Sequence, residues 1–418
     1  MLDNSAQRVL LLTTPSSYRL AAFLAAAAQL DIAAIVAVDT PPRLARPGGS
    51  ELPLDFADTE TALRAIMDLA AEQPLATVIA VDDSGSLLAA RACAALGLPH
   101  NGPQAAEAAR DKFLMRTLFA RAGVASPSFQ RCSTDDDLRR LAVEIRYPCV
   151  VKPLRLNGSR GVIRANDPDQ FVVAVERLAR LLKRVEPGLG PYPFLVEDFI
   201  PGFEVALEGL IEQGELHVLA LFDKPDPLDG PFFEETIYVT PSRLPEPTQR
   251  AIAACAAAAA QAVGLRIGPL HAELRVNEHG PWMVELAGRS IGGLCSRTLR
   301  FGTSASLEEL ILRQACGLPI ESLSQAGNAG GVMMIPTPGA GLLKGVSGAT
   351  EAQAIAGIEE VTITAPLHYP LVPLPEGDSY VGFIFARGER PAQVEAALRE
   401  AHSCLHFEVL PNLILQVG

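Results

Sequence analysis

The sequence predicts a multidomain protein of the α/β and α+β classes, with a doubly wound parallel sheet at its N-terminus and a small α+β unit at its C-terminus. Three observations lead there. In the first hundred or so residues, short β-rich apolar runs at 8–14, 32–38 and 76–81 alternate with Ala- and Leu-rich stretches of helical spacing. From 270 to 293 the chain reads LHAELRVNEHGPWMVELAGRSIGG, where alternation on both sides of Asn277-Glu278-His279-Gly280 marks a hairpin. Toward the C-terminus, β runs at 361–364 and 380–386 mix with a helix near 391–402, the pattern of a small lid or cap.

Size and composition set the outer limits. At 418 residues the chain has room for roughly two to four domains. Hydrophobic content of 49% with 20% charged residues describes a globular chain able to offset its ordering entropy. The net charge of -13, with no cluster of Lys and Arg, argues against a nucleic-acid partner, whereas ATP needs only a local positive field. The start, MLDNSAQRVLLLTTP, carries an acid where a secretion signal would be positive, and its apolar run suits a first strand. The run AIAACAAAAAQAV at 251–263 is too short to span a bilayer and reads as a buried helix, so no membrane partner is expected. Seven cysteines without a CxxC pair indicate neither zinc nor a disulfide framework, and a cytoplasmic location is expected.

In chain order, the N-terminal sheet lacks GxGxxG after its first strand, which argues against a nicotinamide site. Asn101-Gly102-Pro103 breaks the pattern, and 104–121 reads as one helix bearing Asp111 and Lys112, stopped by Gly123. On composition alone Lys112 is a solvated helix lysine. The run YPCVVKPLR at 147–155 is a strand whose only charge inside the apolar run is Lys152, which must reach solvent or an anion. The turn 157–161 follows, and Gly158 and Gly161 would let amides converge on a phosphate, although an ordinary hairpin turn carries the same letters. A strand at 162–164, a helix at 168–184 and the connector EPGLGPYP at 186–193 come next. FLVEDFIPGFEVALEGL then reads as strand, break at Pro201-Gly202, and strand. Sheet continues over 216–240 with an interruption at 226–230, followed by helices at 245–263 and 307–316 and a linker at 322–331. The expected domains are 1–103, 104–190, 191–321 and 331–418.

The hairpin has an arguable register. With a three-residue loop Glu278-His279-Gly280, a type I turn closed by left-handed Gly280, Asn277 faces Pro281 and Glu273 faces Glu285. Two opposed carboxylates repel by roughly 1–4 kcal/mol. A hard divalent cation reverses that sign, so the stretch reads as a candidate metal-phosphate site. An exposed acidic edge would look the same in sequence, and a four-residue loop would put the two acids on opposite faces.

Asp111-Lys112, Val151-Lys152-Pro153, the loop Gly158-Ser159-Arg160-Gly161, the block from Glu197 to Glu204 and the Glu273/Glu285 hairpin occur in an order and spacing that resembles the ATP-grasp superfamily over residues 104–317. The resemblance implies the ATP-grasp fold, with Lys112 and Lys152 on the nucleotide phosphates and the loop of Gly158, Ser159 and Gly161 folding over them. It implies adenine recognition through the Glu197 carbonyl and the Ile200 amide beside Phe199, and ribose hydroxyls on Glu204. Glu273 and Glu285 would hold Mg²⁺ or Mn²⁺. Glu285-Leu286-Ala287-Gly288-Arg289 has alanine where many members carry asparagine, and this form is similar to the L-amino acid ligase branch, with Arg289 on the transferred phosphoryl group. The segment FDKPDPLDGPFFEETIYVTPSRL resembles that branch's FxExGHxxPS stretch, which places Glu235 and Tyr238 near the amine, Tyr238 standing where histidine is usual and Ile237 where glycine is. His271, Ser290, Gly292 and Gly293 join the substrate set, and residues 331–418 resemble the C-terminal domain of these ligases.

The implied activity is amide formation from a small carboxylate and an amine through an acyl phosphate, by a homodimer. A ligase for a non-amino-acid carboxylate and an ATP-binding module without turnover are the alternatives. A biotin-type carboxylase is disfavoured, since the chain has no biotinyl-lysine motif.

Overall fold

The computed structural model describes residues 7–44, 51–188 and 190–411. The expectation of no secretion signal, where it rests on residues 1–6, lies outside that range, as do the last seven residues of the 331–418 unit.

The N-terminal unit contains β1 (Arg8–Thr13), α1 (Leu20–Gln29), β2 (Ala33–Asp39), β3 (Leu52–Leu54), α2 (Thr59–Glu72), β4 (Thr77–Ala80) and α3 (Ser86–Leu96). Its strands pair in parallel in the order β3-β2-β1-β4. Val9, Leu10, Leu11 and Leu12 of β1 are all fully buried because helices cover both faces: Val9 and Leu11 share a core with Phe23 of α1, Leu10 and Leu12 one with Ile66 of α2 and Leu88 of α3. That is why β1 reads as a continuous apolar run rather than an alternating one. Strand order reverses between β1 and β4, which opens a crevice beyond their carboxyl ends. Thr14, Ser17, Asp82 and Asp83 line it.

The expected single helix at 104–121 is two helices, α4 (Pro103–Ala108) and α5 (Lys112–Ala122). Asp111 causes the break: its carboxylate accepts from the amides of Phe113 and Leu114 at 3.0 and 3.1 Å and caps α5. Lys112 therefore starts a helix at the core and is 5% exposed, not solvated as composition suggested. Beyond it lie β5 (Phe129–Ser133), α6 (Leu138–Glu144), β6 (Cys149–Pro153), β7 (Ile163–Ala165), α7 (Pro168–Val185) and β8 (Pro193–Asp198). The four strands form an antiparallel sheet, β5-β8-β6-β7, against which α7 buries Phe171, Val175, Leu178 and Leu182.

The remainder supplies β9 (Phe203–Glu212), β10 (Glu215–Lys224), β11 (Ile237–Thr240), α8 (Glu246–Val263), β12 (Gly268–Asn277), β13 (Gly280–Ala287), α9 (Leu307–Ala315) and β14 (Ala329–Ile335). It ends with β15 (Gly341–Ser347), α10 (Ala349–Gln353), β16 (Ile358–Ile363), β17 (Pro370–Leu371), β18 (Gly382–Gly388), α11 (Pro391–Cys404) and β19 (His406–Leu410). An eight-stranded sheet runs β13-β12-β9-β10-β11-β14-β18-β16. Thus part of the C-terminal segment is continuous with the central sheet, because pairing β11 to β14 buries Ile237, Val239, Met333 and Ile335 in one core and leaves no exposed edge there. Of the described strands in the C-terminal segment, β15, β17 and β19 form a separate sheet. Among the described residues, no helix is long and apolar enough to cross a membrane.

Candidate active site

The hairpin turns differently from the expected register near its tip. Asn277 pairs with Gly280, not Pro281, and Gly280 takes φ +102°, the left-handed region. Glu273 nevertheless pairs with Glu285, because a β-bulge between Glu273 and Leu274 leaves Val284 as an extra residue on β13. The carbonyl of Val284 accepts from Arg116, a fully buried residue of α5. Arg116 also lies 2.7 Å from Glu197, so one guanidinium ties the bulge to the end of β8. Sequence reading did not single out Arg116, and only its place inside an otherwise amphipathic helix could have flagged it.

Each hairpin acid has a lysine of its own. Glu285 lies 3.5 Å from Lys112, which also donates to the Leu156 carbonyl at 2.8 Å. Glu273 lies 3.4 Å from Lys224, the last residue of β10. Sequence reading did not single out Lys224, although it stands in the FDKP stretch that carries the resemblance. Its buried ammonium is bonded to Glu204 at 2.8 Å and also to Glu235. Burial alone would lower this lysine's pKa, but Glu204, then Glu235 and Glu273, outweigh it and hold the charge firmly. The expected repulsion across the hairpin is thus met first by the protein's own cations.

Glu204, Glu235 and Glu273 each bring a carboxylate oxygen within 4.8 Å of the others. Glu204 uses its second oxygen on Arg275 at 2.9 Å, so a ribose hydroxyl would have to share an acid already held by two cations. Burial and then Glu273 push Glu235 up to about 7, against the opposing charge of Lys224. The Tyr238 hydroxyl donates to Glu235 at 2.8 Å. Burial would lower the His271 imidazole, but Glu208, to which it is hydrogen-bonded, and then Glu273 at 3.2 Å raise it to about 9. His271 therefore stands protonated between two acids.

On the other side, Lys152 of β6 lies 2.5 Å from Glu197 and is 5% exposed. Burial would raise the Glu197 carboxyl, yet Arg116 and then Lys152 outweigh it and hold it below the usual carboxylate range. The Phe199 ring carries two guanidinium contacts, Arg164 at 4.1 Å and Arg275 at 4.9 Å from its centroid. The Ile200 carbonyl accepts from Arg275 at 2.9 Å, and among the described residues no acceptor is paired with the Ile200 amide.

Both acids of the hairpin, Arg289, His271, Glu235 and Tyr238 line a cleft of about 770 Å³ together with the glycine loop and with Gly292 and Gly293. Arg289 donates to Asp83 of the N-terminal unit at 2.8 Å. Burial opposes its charge, and Asp83 more than restores it. Ser290 is fully buried and accepts from Arg19, so it braces that arginine instead of facing the cleft as expected. The expected phosphate nest is smaller than the sequence implied: the Gly161 amide donates to Pro375 at 2.8 Å, which leaves Gly158 and Ser159 at the cleft. Arg160 bonds the Glu376 carbonyl and Asp378, and Arg177 pairs with both Glu376 oxygens at 2.6 and 2.8 Å. The glycine loop is thus fastened to the C-terminal segment.

This combination of a parallel N-terminal sheet, a small antiparallel sheet and a large sheet bearing opposed acids defines an ATP-grasp protein. An ATP-grasp N-terminal domain model matches residues 24–100, an ATP-grasp domain model 145–298, and an L-amino acid ligase C-terminal domain model 333–410. The chain thus has the ATP-grasp fold, with a C-terminal domain similar to that of L-amino acid ligases. It is similar to an L-amino acid ligase from Bacillus licheniformis of known structure, at 26% identity and TM-score 0.83 over 97% of this chain and 99% of that one. Among curated relatives it is similar to alanine–anticapsin ligase of Bacillus subtilis, 31% identical over 243 residues, or 54% of this chain and 51% of that protein. It also resembles dapdiamide A synthase of Enterobacter agglomerans, 30% identical over 191 residues, or 44% of this chain and 43% of that protein. The matches span about half the length of these curated relatives.

Proposed function

We propose that this chain is an ATP-dependent carboxylate–amine ligase that makes an amide, of the dipeptide or amino-acid amide kind, and releases ADP and phosphate. The observation that carries the reading is the convergence of Arg289, Glu273, Glu285 and the loop of Gly158 and Ser159 on one cleft that also holds a carboxyl tuned near neutrality. A carboxylate oxygen of the first substrate attacks the γ-phosphorus, ADP leaves, the amine nitrogen attacks the acyl carbon, and phosphate leaves. Arg289 faces the transferred group with a planar guanidinium suited to oxyanions. Glu235, raised to about 7, takes the proton that the amine loses. Lys112 and Lys152 offset phosphate charge, and the glycine loop keeps water from the acyl phosphate.

The donor set fits a hard divalent cation: carboxylates only, with Glu273 paired to Glu285 and further oxygens from Glu204 and Glu235 nearby. Mg²⁺, or Mn²⁺, would be held by Glu273 and Glu285 and supplies charge neutralisation to the bound phosphates.

Incubation with ATP, Mg²⁺ and a panel of amino acids is the direct test. ADP release that requires both an acid and an amine supports the proposal; no release across the panel, or release independent of either, refutes it. The substitution of Tyr238, whose hydroxyl is spent on Glu235, favours a second reading with a non-amino-acid carboxylate, so the panel includes such acids. Sedimentation tests the homodimer that the resemblance implies.

A further inference from the structure

The wall behind Arg289 belongs to two cavities. Asp83, which accepts from Arg289, lines both the main cleft and a second cavity of about 140 Å³ where β4 and α3 meet residues 265–269 and the end of α9. Ile79, Ala89, Leu265, Ile267 and Ile311 make its walls mostly apolar. Apolar protein cavities of about 150 Å³ accept a benzene-sized body.

Arg110 stands at this cavity. Burial lowers its pKa, with Asp83 and then Glu107 opposing, yet among the described residues its guanidinium is in no ion pair. The two acids close to it in the chain are engaged elsewhere: Glu107 pairs with Arg155 at 2.5 Å, and Asp111 caps α5 and lies 3.5 Å from the same Arg155. An apolar chamber with one partly buried, uncommitted guanidinium has the chemistry of a site for an apolar anion.

We propose that this cavity binds an apolar monocarboxylate, its carboxylate on Arg110 and its hydrocarbon body against Ile79, Ile267 and Ile311, and that occupancy acts on Arg289 through Asp83. Asp83 feels the charges of Arg289, Arg19 and Arg110 together. An anion on Arg110 removes part of that field, so Asp83 grips Arg289 more tightly and withdraws it from the cleft. Coupling of this kind is reciprocal. Binding in this cavity requires no turnover, so it is measurable without nucleotide.

The probe is 4-methylpentanoate, titrated calorimetrically into the full chain without nucleotide. Saturable binding is expected, weakened about tenfold by Arg110→Gln and by Ala315→Leu, which fills the cavity from the partly exposed end of α9, and tightened about threefold by Asp83→Asn. Melting curves matching the parent's establish that the variants fold. No saturable binding by the parent at about 20 mM, or affinity unchanged in both Arg110→Gln and Ala315→Leu, overturns the proposal, the latter by placing the probe in the main cleft.

Discussion

Replacing Lys224 with methionine removes the one ammonium shared by Glu204, Glu235 and Glu273 while keeping side-chain volume close to constant. At an effective dielectric of about 20, unit charges at the observed 2.8 and 3.4 Å attract by about 6 and about 5 kcal/mol. Most of that is offset by the cost of burying the ammonium, several kcal/mol. Arg275 still serves Glu204 at 2.9 Å and His271 still serves Glu273 at 3.2 Å, so Glu235 is the acid left without a cation, holding only the Tyr238 hydroxyl at 2.8 Å. The expected net loss is about 3–5 kcal/mol, the range for breaking a buried charge pair. Trp282, the single tryptophan, lies on β13 opposite Arg275 and reports on this part of the sheet. Urea unfolding followed by Trp282 fluorescence, with circular dichroism alongside to detect separate transitions, is the assay. Mg²⁺ should stabilise the variant by about 2.7 kcal/mol at a hundredfold excess over the variant's Kd, and the parent by less at the same concentration. A loss under about 1 kcal/mol, or an equal response to Mg²⁺, would show that the ammonium is not what reconciles these acids.

Glu285→Gln should cut substrate-dependent ADP release by about 10²-fold or more with the fold retained, and wild-type turnover would remove the metal assignment. Arg289→Ala should reduce acyl phosphate formation by about 10²–10³-fold while ATP affinity changes little; equal losses in both would make Arg289 structural. The Arg177–Glu376 clasp, which ties α7 to the residue whose carbonyl holds Arg160 of the glycine loop, predicts a pH effect. The hydrogen bond from Arg177 holds the Glu376 carboxyl below its ordinary value, so the clasp is intact above about pH 4.5 and is lost as pH falls through the depressed folded value. Protease cleavage within 157–161 should accelerate over that acid window, and in Glu376→Gln it should be faster already at neutral pH and less responsive to acid, the Arg160–Asp378 pair being the carboxylate contact that remains on the loop. Unchanged cleavage in Glu376→Gln at pH 7 would show that other contacts hold the loop.

Much of the site could be read from local pattern. Alternation put Glu273 and Glu285 on facing strands, a lone charge in an apolar run singled out Lys152, and the glycines of 157–161 marked the loop. The same reasoning gave Lys112 to solvent and made one helix of α4 and α5, because it weighed the helical spacing and not the capping carboxylate of Asp111. It placed Asn277 opposite Pro281 and still paired Glu273 with Glu285, since the shorter pairing at the tip is compensated by the bulge at Val284.

What the sequence determined by itself is which faces are apolar, where the turns fall and which residue types sit together along a strand, all encoded at separations of a few residues. Tertiary structure decided the rest. Arg116 reaches the Val284 carbonyl across 168 positions, Arg289 reaches Asp83 across 206, and Arg177 reaches Glu376 across 199. The charge state of a buried acid depends on which distant cation folding brings beside it, and the pairing periods of helix and strand carry no record of that choice.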